Sequence, residues 1–157
     1  MRKVLLSIAA TMVASGALAA PAFANEGRIE ARGGVIWDQG QTEAIAGVAA
    51  GYDYDLGTSA FAGPEISAEK ILTDNQRVSF GVGGRAGVKL SEAGKLYAVG
   101  SYQTKPCGAC EHAWTAGAGY QQSFGNKVYG KVEYRHHFVG NGFSDPDAVT
   151  AGLGVKF

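Results

Sequence analysis

The sequence has no charge of either sign to spare: 14 lysines and arginines stand against 14 aspartates and glutamates over 157 residues. A nucleic-acid binder would carry a basic excess, so charge excludes that class. Only two cysteines are present, Cys107 and Cys110, which leaves no disulfide framework to hold a coreless chain together. Long apolar runs are missing as well. Beyond the first two dozen residues nothing approaches the roughly 20 consecutive apolar residues that a membrane helix needs, and helical periodicity is scarce. The 24 glycines follow no strict period, which rules out a collagen. An apolar content of 46% with no net charge rules out a disordered tail.

The first residues read as an export signal. Arg2 and Lys3 form a basic start, residues 4–20 are apolar and rich in alanine, and Ala22-Phe23-Ala24 supplies an A-x-A cleavage pattern. The expectation is therefore a cleaved signal peptide over 1–24 and one mature domain over 25–157, near neutral at a net charge of −2.

The mature chain is dominated by alternation. Segments 28–37, 42–54, 59–70, 78–90, 95–103, 112–123 and 128–138, and a last one closing the chain, each set apolar against polar or glycine residues with a period of two. In the first, Arg28, Glu30 and Arg32 oppose Ile29, Ala31 and Val35. In the second, Ala46, Val48, Ala50, Tyr52 and Tyr54 share a face. Pro64, in the third, implies a bulge or a weakened pairing position. Eight strands of about ten residues with short connections suit a closed up-and-down barrel. Connections at 38–41, 71–77, 104–111 and 139–146 fall at one end, and those at 55–58, 91–94 and 124–127 at the other. The first set is mostly the longer, as outward-facing loops would be.

Alternation alone does not say which face points inward, so a secreted soluble barrel with an apolar interior competes with a membrane barrel. Aromatics break the symmetry. The apolar face carries Tyr52, Tyr54, Tyr120 and Phe157 near one rim and Trp37, Phe80, Tyr102 and Trp114 near the other, as two interfacial girdles would. The opposite face mixes glycines with Arg28, Glu30, Arg32, Glu65, Glu69, Arg85, Lys131, Glu133 and Arg135, which fits a narrow lumen closed by ion pairs. The fold class expected is all-β, a closed eight-stranded antiparallel up-and-down transmembrane β-barrel.

The mature chain resembles the small outer-membrane β-barrel proteins of the opacity and porin-like family. The resemblance is strongest at Val128-Tyr129-Gly130-Lys131-Val132-Glu133-Tyr134-Arg135 and at the ending Val149-Thr150-Ala151-Gly152-Leu153-Gly154-Val155-Lys156-Phe157. That ending, with Val149, Leu153, Val155 and Phe157 on one face, looks like the family's assembly signal, read by the outer-membrane insertion machinery through an exposed strand edge. The resemblance implies a bacterial outer-membrane location, outer-membrane lipid and that machinery as partners, and loops through which an extracellular partner would dock. It leaves the function open among envelope structure and surface interaction, a narrow channel for ions or small solutes, and lipid modification.

Four motifs compete with plainer readings. Gly81-Val82-Gly83-Gly84-Arg85-Ala86 matches a dinucleotide-binding pattern, but no helix pattern follows, and glycines relieving crowding in a barrel wall explain it better. Cys107-Gly108-Ala109-Cys110, beside Glu111 and His112, admits disulfide, metal and redox readings, and export into an oxidising compartment favours the disulfide. Arg135-His136-His137-Phe138 resembles the barrel deacylases that trim lipid A and read H-x-S-N there. Here His137 is followed by Phe138-Val139-Gly140, Ser144 lies further along, and no supporting acid is evident. The inner-face carboxylates all have basic company, which favours ion pairing over acid–base catalysis. The expectation is a non-enzymatic barrel with no catalytic residues, cofactor or metal.

Overall fold

In the computed structural model, which describes residues 25–157, the alternating segments are eight strands: β1 (Glu26–Asp38), β2 (Gln41–Leu56), β3 (Ala60–Ile71), β4 (Ser79–Lys89), β5 (Gly94–Gln103), β6 (Ala113–Phe124), β7 (Val128–Phe138) and β8 (Asp147–Lys156). The expected signal peptide at 1–24 lies outside the described residues. Each strand pairs antiparallel with the next, and β1 pairs with β8, so the sheet closes with no free edge. Closure pairs the wall carbonyls and amides between neighbours and leaves no open edge, the condition for crossing hydrocarbon without helices. Among the described residues no helix is long and apolar enough to cross a membrane.

The strand ends differ from the alternation in instructive places. β1 and β2 run to a two-residue turn, with Gln39 and Gly40 both at positive φ (45° and 84°) as a tight hairpin of the right twist demands. This connection is therefore short, although it lies at the long-loop end. β4 begins at Ser79 and β6 at Ala113, one residue later than the apolar pattern suggests in each case. At Pro64 the β2–β3 ladder lapses between Gly51↔Glu65 and Tyr54↔Ala62 and resumes in the same register, so the proline weakens pairing without making a bulge. Gly63 is obligatory beside it: a Cβ there would stand 1.6 Å from the Tyr52 carbonyl oxygen.

The register also fixes the barrel's stagger. From Arg28 the cross-strand partners run through Gly51, Glu65, Gly83, Ser101, Thr115 and His137, and the His137 amide donates to Pro146. Pro146 lies next to Asp147, which pairs with Trp37, so the path returns to β1 near its far end. Strands displaced this far are steeply tilted, and an eight-stranded barrel so built encloses only enough room for side chains.

Burial settles which face points inward. Arg28, Glu30, Asp53, Glu133 and Gln121 are 0–2% exposed, whereas Ile66, Phe80, Trp114 and Leu153 are 61–68% exposed. A soluble barrel has the reverse arrangement, because a continuous belt of apolar side chains in water far exceeds the patch a soluble monomer shows. The belt spans the middle of strands 10 to 16 residues long, against the roughly 9–11 needed to cross a bilayer. Tyr52 and Tyr54, with ring centroids 4.9 Å apart, stand near one rim, and the cross-strand pair Tyr102 and Trp114, at 5.3 Å, near the other. Aromatic residues with polar edges settle at such interfaces.

Candidate functional site: the charged lumen

The inward positions of all eight strands supply one connected set of polar side chains. Glu65, on β3, accepts from Arg28 at 2.8 Å and from Arg135 at 2.7 Å, with Arg32 at 3.4 Å. Glu133, on β7, is held by Arg135 at 2.6 Å and Lys131 at 3.0 Å, and Lys131 reaches Glu30 at 2.5 Å. Arg32 extends the set toward the outward end, ion-pairing with Glu69 at 2.8 Å, and Glu69 also accepts from Gln103 at 3.0 Å. Arg32 thus faces four carboxylates, since Glu30 and Glu133 lie at 3.6 and 3.5 Å.

Toward the short-turn end, Asp53 is the hub. Arg85 donates to both of its oxygens, at 3.0 and 2.7 Å, Lys95 reaches it at 3.2 Å, and the Arg28 Nε stands 3.5 Å away. Lys95 continues to Glu26 at 2.7 Å, and Lys156 closes that mouth on Glu26 at 3.1 Å. Two tyrosines brace the centre: Tyr129 donates to Glu30 at 2.7 Å and Tyr97 to Glu133 at 2.8 Å. Each ring occupies the space of a glycine opposite, because a Cβ on Gly154 would stand 2.4 Å from Tyr129 and one on Gly119 2.5 Å from Tyr97. The Arg85 guanidinium lies over the Tyr97 ring, 4.8 Å from its centroid, and 5.4 Å from that of Phe61.

All nine charged residues singled out on the inner face are buried here, and every one makes an ion pair. The alternation gives Arg85 glutamate partners, but the partner is Asp53, which the selection missed. The signal was present: Tyr52 and Tyr54 on the lipid face place Asp53 on the opposite one. Lys95 and Glu26 were hidden as end residues of their strands, and the tyrosines were masked by their aromatic character. With them, six buried cations (Arg28, Arg32, Arg85, Lys95, Lys131, Arg135) meet five buried carboxylates, and Glu26 at the mouth makes the sixth. Buried charges persist only when so balanced.

The other motifs resolve into local structure. The glycine-rich segment runs along β4, where a Cβ on Gly83 would lie 2.0 Å from the Gly100 carbonyl oxygen. Cys107 and Cys110 are joined by a disulfide, with Cα atoms 5.0 Å apart, and among the described residues no group of three or more metal-ligating side chains assembles. Glu111, next to them, takes a 2.9 Å ion pair from Lys105, which holds its carboxyl below the ordinary carboxylate range.

His136 does have an acid beside it, contrary to the sequence reading. Asp147, on the adjacent strand, bonds His136 Nδ1 at 2.8 Å and accepts from the Tyr134 hydroxyl at 2.6 Å. What is missing is the nucleophile. Phe138 occupies the next position on that face, its ring edge-on to the imidazole at 4.6 Å, and Ser144 donates its hydroxyl to Asp38. A histidine and an acid with no serine hydroxyl beside them do not make the His/Ser site of the barrel deacylases.

Comparison with known proteins bears on the fold. No family model and no curated protein matches the chain. Among solved structures, a de novo designed transmembrane β-barrel superposes with a TM-score of 0.59 at 18% identity, covering 84% of this chain and 95% of that one. Neisserial surface protein A gives 0.57 at 13% identity over 85% and 97%. Ail, the attachment invasion locus protein of Yersinia pestis, gives 0.57 at 11% identity over the same shares. The chain has the fold of a transmembrane β-barrel. At these identities the likeness reaches no further than the fold.

Proposed function

We propose that this chain is a non-enzymatic integral protein of the bacterial outer membrane, of the opacity type, that contributes to the envelope wall and presents its longer loops to the exterior. The observation that carries the reading is the lumen: six cations and their carboxylates, paired at 2.5–2.8 Å, occupy the space through which a solute would pass. A wall component needs such a plug and a channel does not. The signal peptide at 1–24 and the terminal Phe157 supply export and recognition by the insertion machinery, and the loops offer the surface for an extracellular partner.

The decisive experiment is fractionation of cells producing the full chain, followed by electrophoresis with and without boiling. The mature protein is expected in the outer membrane, beginning near residue 25, and its mobility should change on heating because a closed hydrogen-bonded wall resists detergent. Recovery in the soluble periplasmic fraction with no heat-dependent mobility overturns the proposal.

A further inference from the structure

Above the plug, the outward mouth holds a cavity of about 400 Å³ whose lining the lumen network does not explain. Its walls are apolar although they face inward, where no lipid reaches. Ile36 and Ile45 are buried there with Ile71 packed against them, and Ala113 and Phe143 also line the space. The floor is the top of the plug, Glu69 with Gln103 and Ser79. The lining is rich in acids: Asp38, Glu43, Glu69 and Glu111 border the cavity, no lysine or arginine does, and His137 is the basic side chain beside them.

Three of those acids are engaged. Glu69 is paired with Arg32, Glu111 with Lys105, and Asp38 accepts the Ser144 hydroxyl. Glu43 is not, having no ion-pair partner among the described residues, and it pairs in the ladder with Ile36, so a carboxylate stands directly beside the apolar wall. The loops around it are pinned by the Cys107–Cys110 disulfide, by the Arg77 amide donating to Pro106 at 2.7 Å, and by the Ser144–Asp38 bond. A pinned mouth spends little of its binding free energy on ordering itself.

We propose that this mouth is a binding site for a small organic cation with an apolar body, its charge on Glu43 and its hydrocarbon against Ile36, Ile45 and Ile71. The volume falls in the usual range of small-molecule pockets. An anion of the same shape meets the unpaired Glu43, and a neutral analogue gains the walls but not the carboxylate.

Trp37, at the rim of the cavity next to Ile36, is a built-in reporter once Trp114, the other tryptophan, is replaced by Phe. The mature barrel in lipid nanodiscs is titrated with phenethylamine, phenethyl alcohol and 3-phenylpropionate. The amine should give a saturable change in Trp37 emission, the alcohol should bind about tenfold more weakly, and the carboxylate should not bind. Glu43→Gln should weaken the amine about tenfold and leave the alcohol unchanged. Ala113→Phe, which narrows the cavity and touches no charge, should weaken both, and it carries the test if the Gln variant does not assemble. A linear amine titration, as partition into lipid gives, equal affinities for amine and alcohol, or undiminished amine binding by both variants overturns the site. Because the readout is taken on inserted protein, failure here reflects on the mouth and leaves the outer-membrane reading to its own test.

Discussion

Asp53 concentrates more of the lumen's charge than any other single carboxylate at the short-turn end. Its side chain is 1% exposed and serves Arg85, Lys95 and Arg28 together. Replacing it with Asn keeps the volume but leaves three cations around a neutral group, and breaking a buried pair in this way costs about 3 to 5 kcal/mol. Urea unfolding from lipid vesicles should show that loss for Asp53→Asn. Asp74→Asn, in the exposed loop after β3, should stay within about 0.5 kcal/mol of the parent. Equal midpoints for the two variants would mean that water in the lumen already screens Asp53. Gly63 tests the wall instead of the plug. Its Cβ would sit 1.6 Å from a backbone oxygen, which cannot move without parting β2 from β3. Gly63→Ala should therefore reduce the heat-shifted, assembled band. Gly33→Ala, whose Cβ meets nothing closer than 3.6 Å, should leave the band at full intensity.

Among the elements, β8 carries both the closure and the expected assembly signal. Phe157 exchanges two backbone bonds with Gly27, at 2.8 and 2.9 Å, and its ring lies where a side chain on Gly27 would be. Val149, Leu153 and Val155 precede it on the same outer face. Removing Phe157, or changing it to Asp, should slow insertion more than Lys156→Ala, although Lys156 itself bonds Glu26 and Ser123. A charge near the interface costs only about 0 to 1 kcal/mol, so the effect belongs to recognition and should appear in the rate, not in the final stability. Equal insertion kinetics for the two variants would remove the signal. The β5–β6 loop behaves oppositely, since it lies outside the ladder. Cys107→Ser with Cys110→Ser should leave the barrel assembled, because a ring this small removes only about 2 kcal/mol of chain entropy. Loss of the heat-shifted band in the double variant would show that the loop takes part in folding.

The elements were legible in the sequence because period-two alternation is a property of neighbours along the chain. β7 matched its expected bounds, 128–138, residue for residue. The pairings inside were less so. Arg85 and Asp53 meet across the lumen from strands that are not adjacent, and which inward residue faces which depends on the stagger of the whole barrel, which no local pattern states. The apolar mouth was hidden for a related reason. Ile36, Ile45 and Ile71 lie on the inner face near strand ends, where single apolar residues look unremarkable until closure brings them together.

At the scale of the whole molecule the question is whether the barrel conducts, and the charge balance gives it a signed answer. With the lumen's cations and carboxylates matched, water has no continuous path and neither ion is favoured, so the unmodified protein should show little steady current in planar bilayers. Arg32 is the cation that faces the most carboxylates, its guanidinium standing among Glu30, Glu65, Glu69 and Glu133. Arg32→Ala should therefore raise conductance and leave an excess of negative charge, so that under a salt gradient the reversal potential takes the sign of a cation-selective pore. Glu133→Ala vacates a neighbouring place but strands Lys131 and Arg135, and its reversal potential should take the opposite sign. The pair separates a lumen plugged by charge from one that merely narrows. A pore that is already open would carry large, stable currents in the parent and change amplitude with either substitution without reversing selectivity, and that result would replace the wall component with a narrow channel.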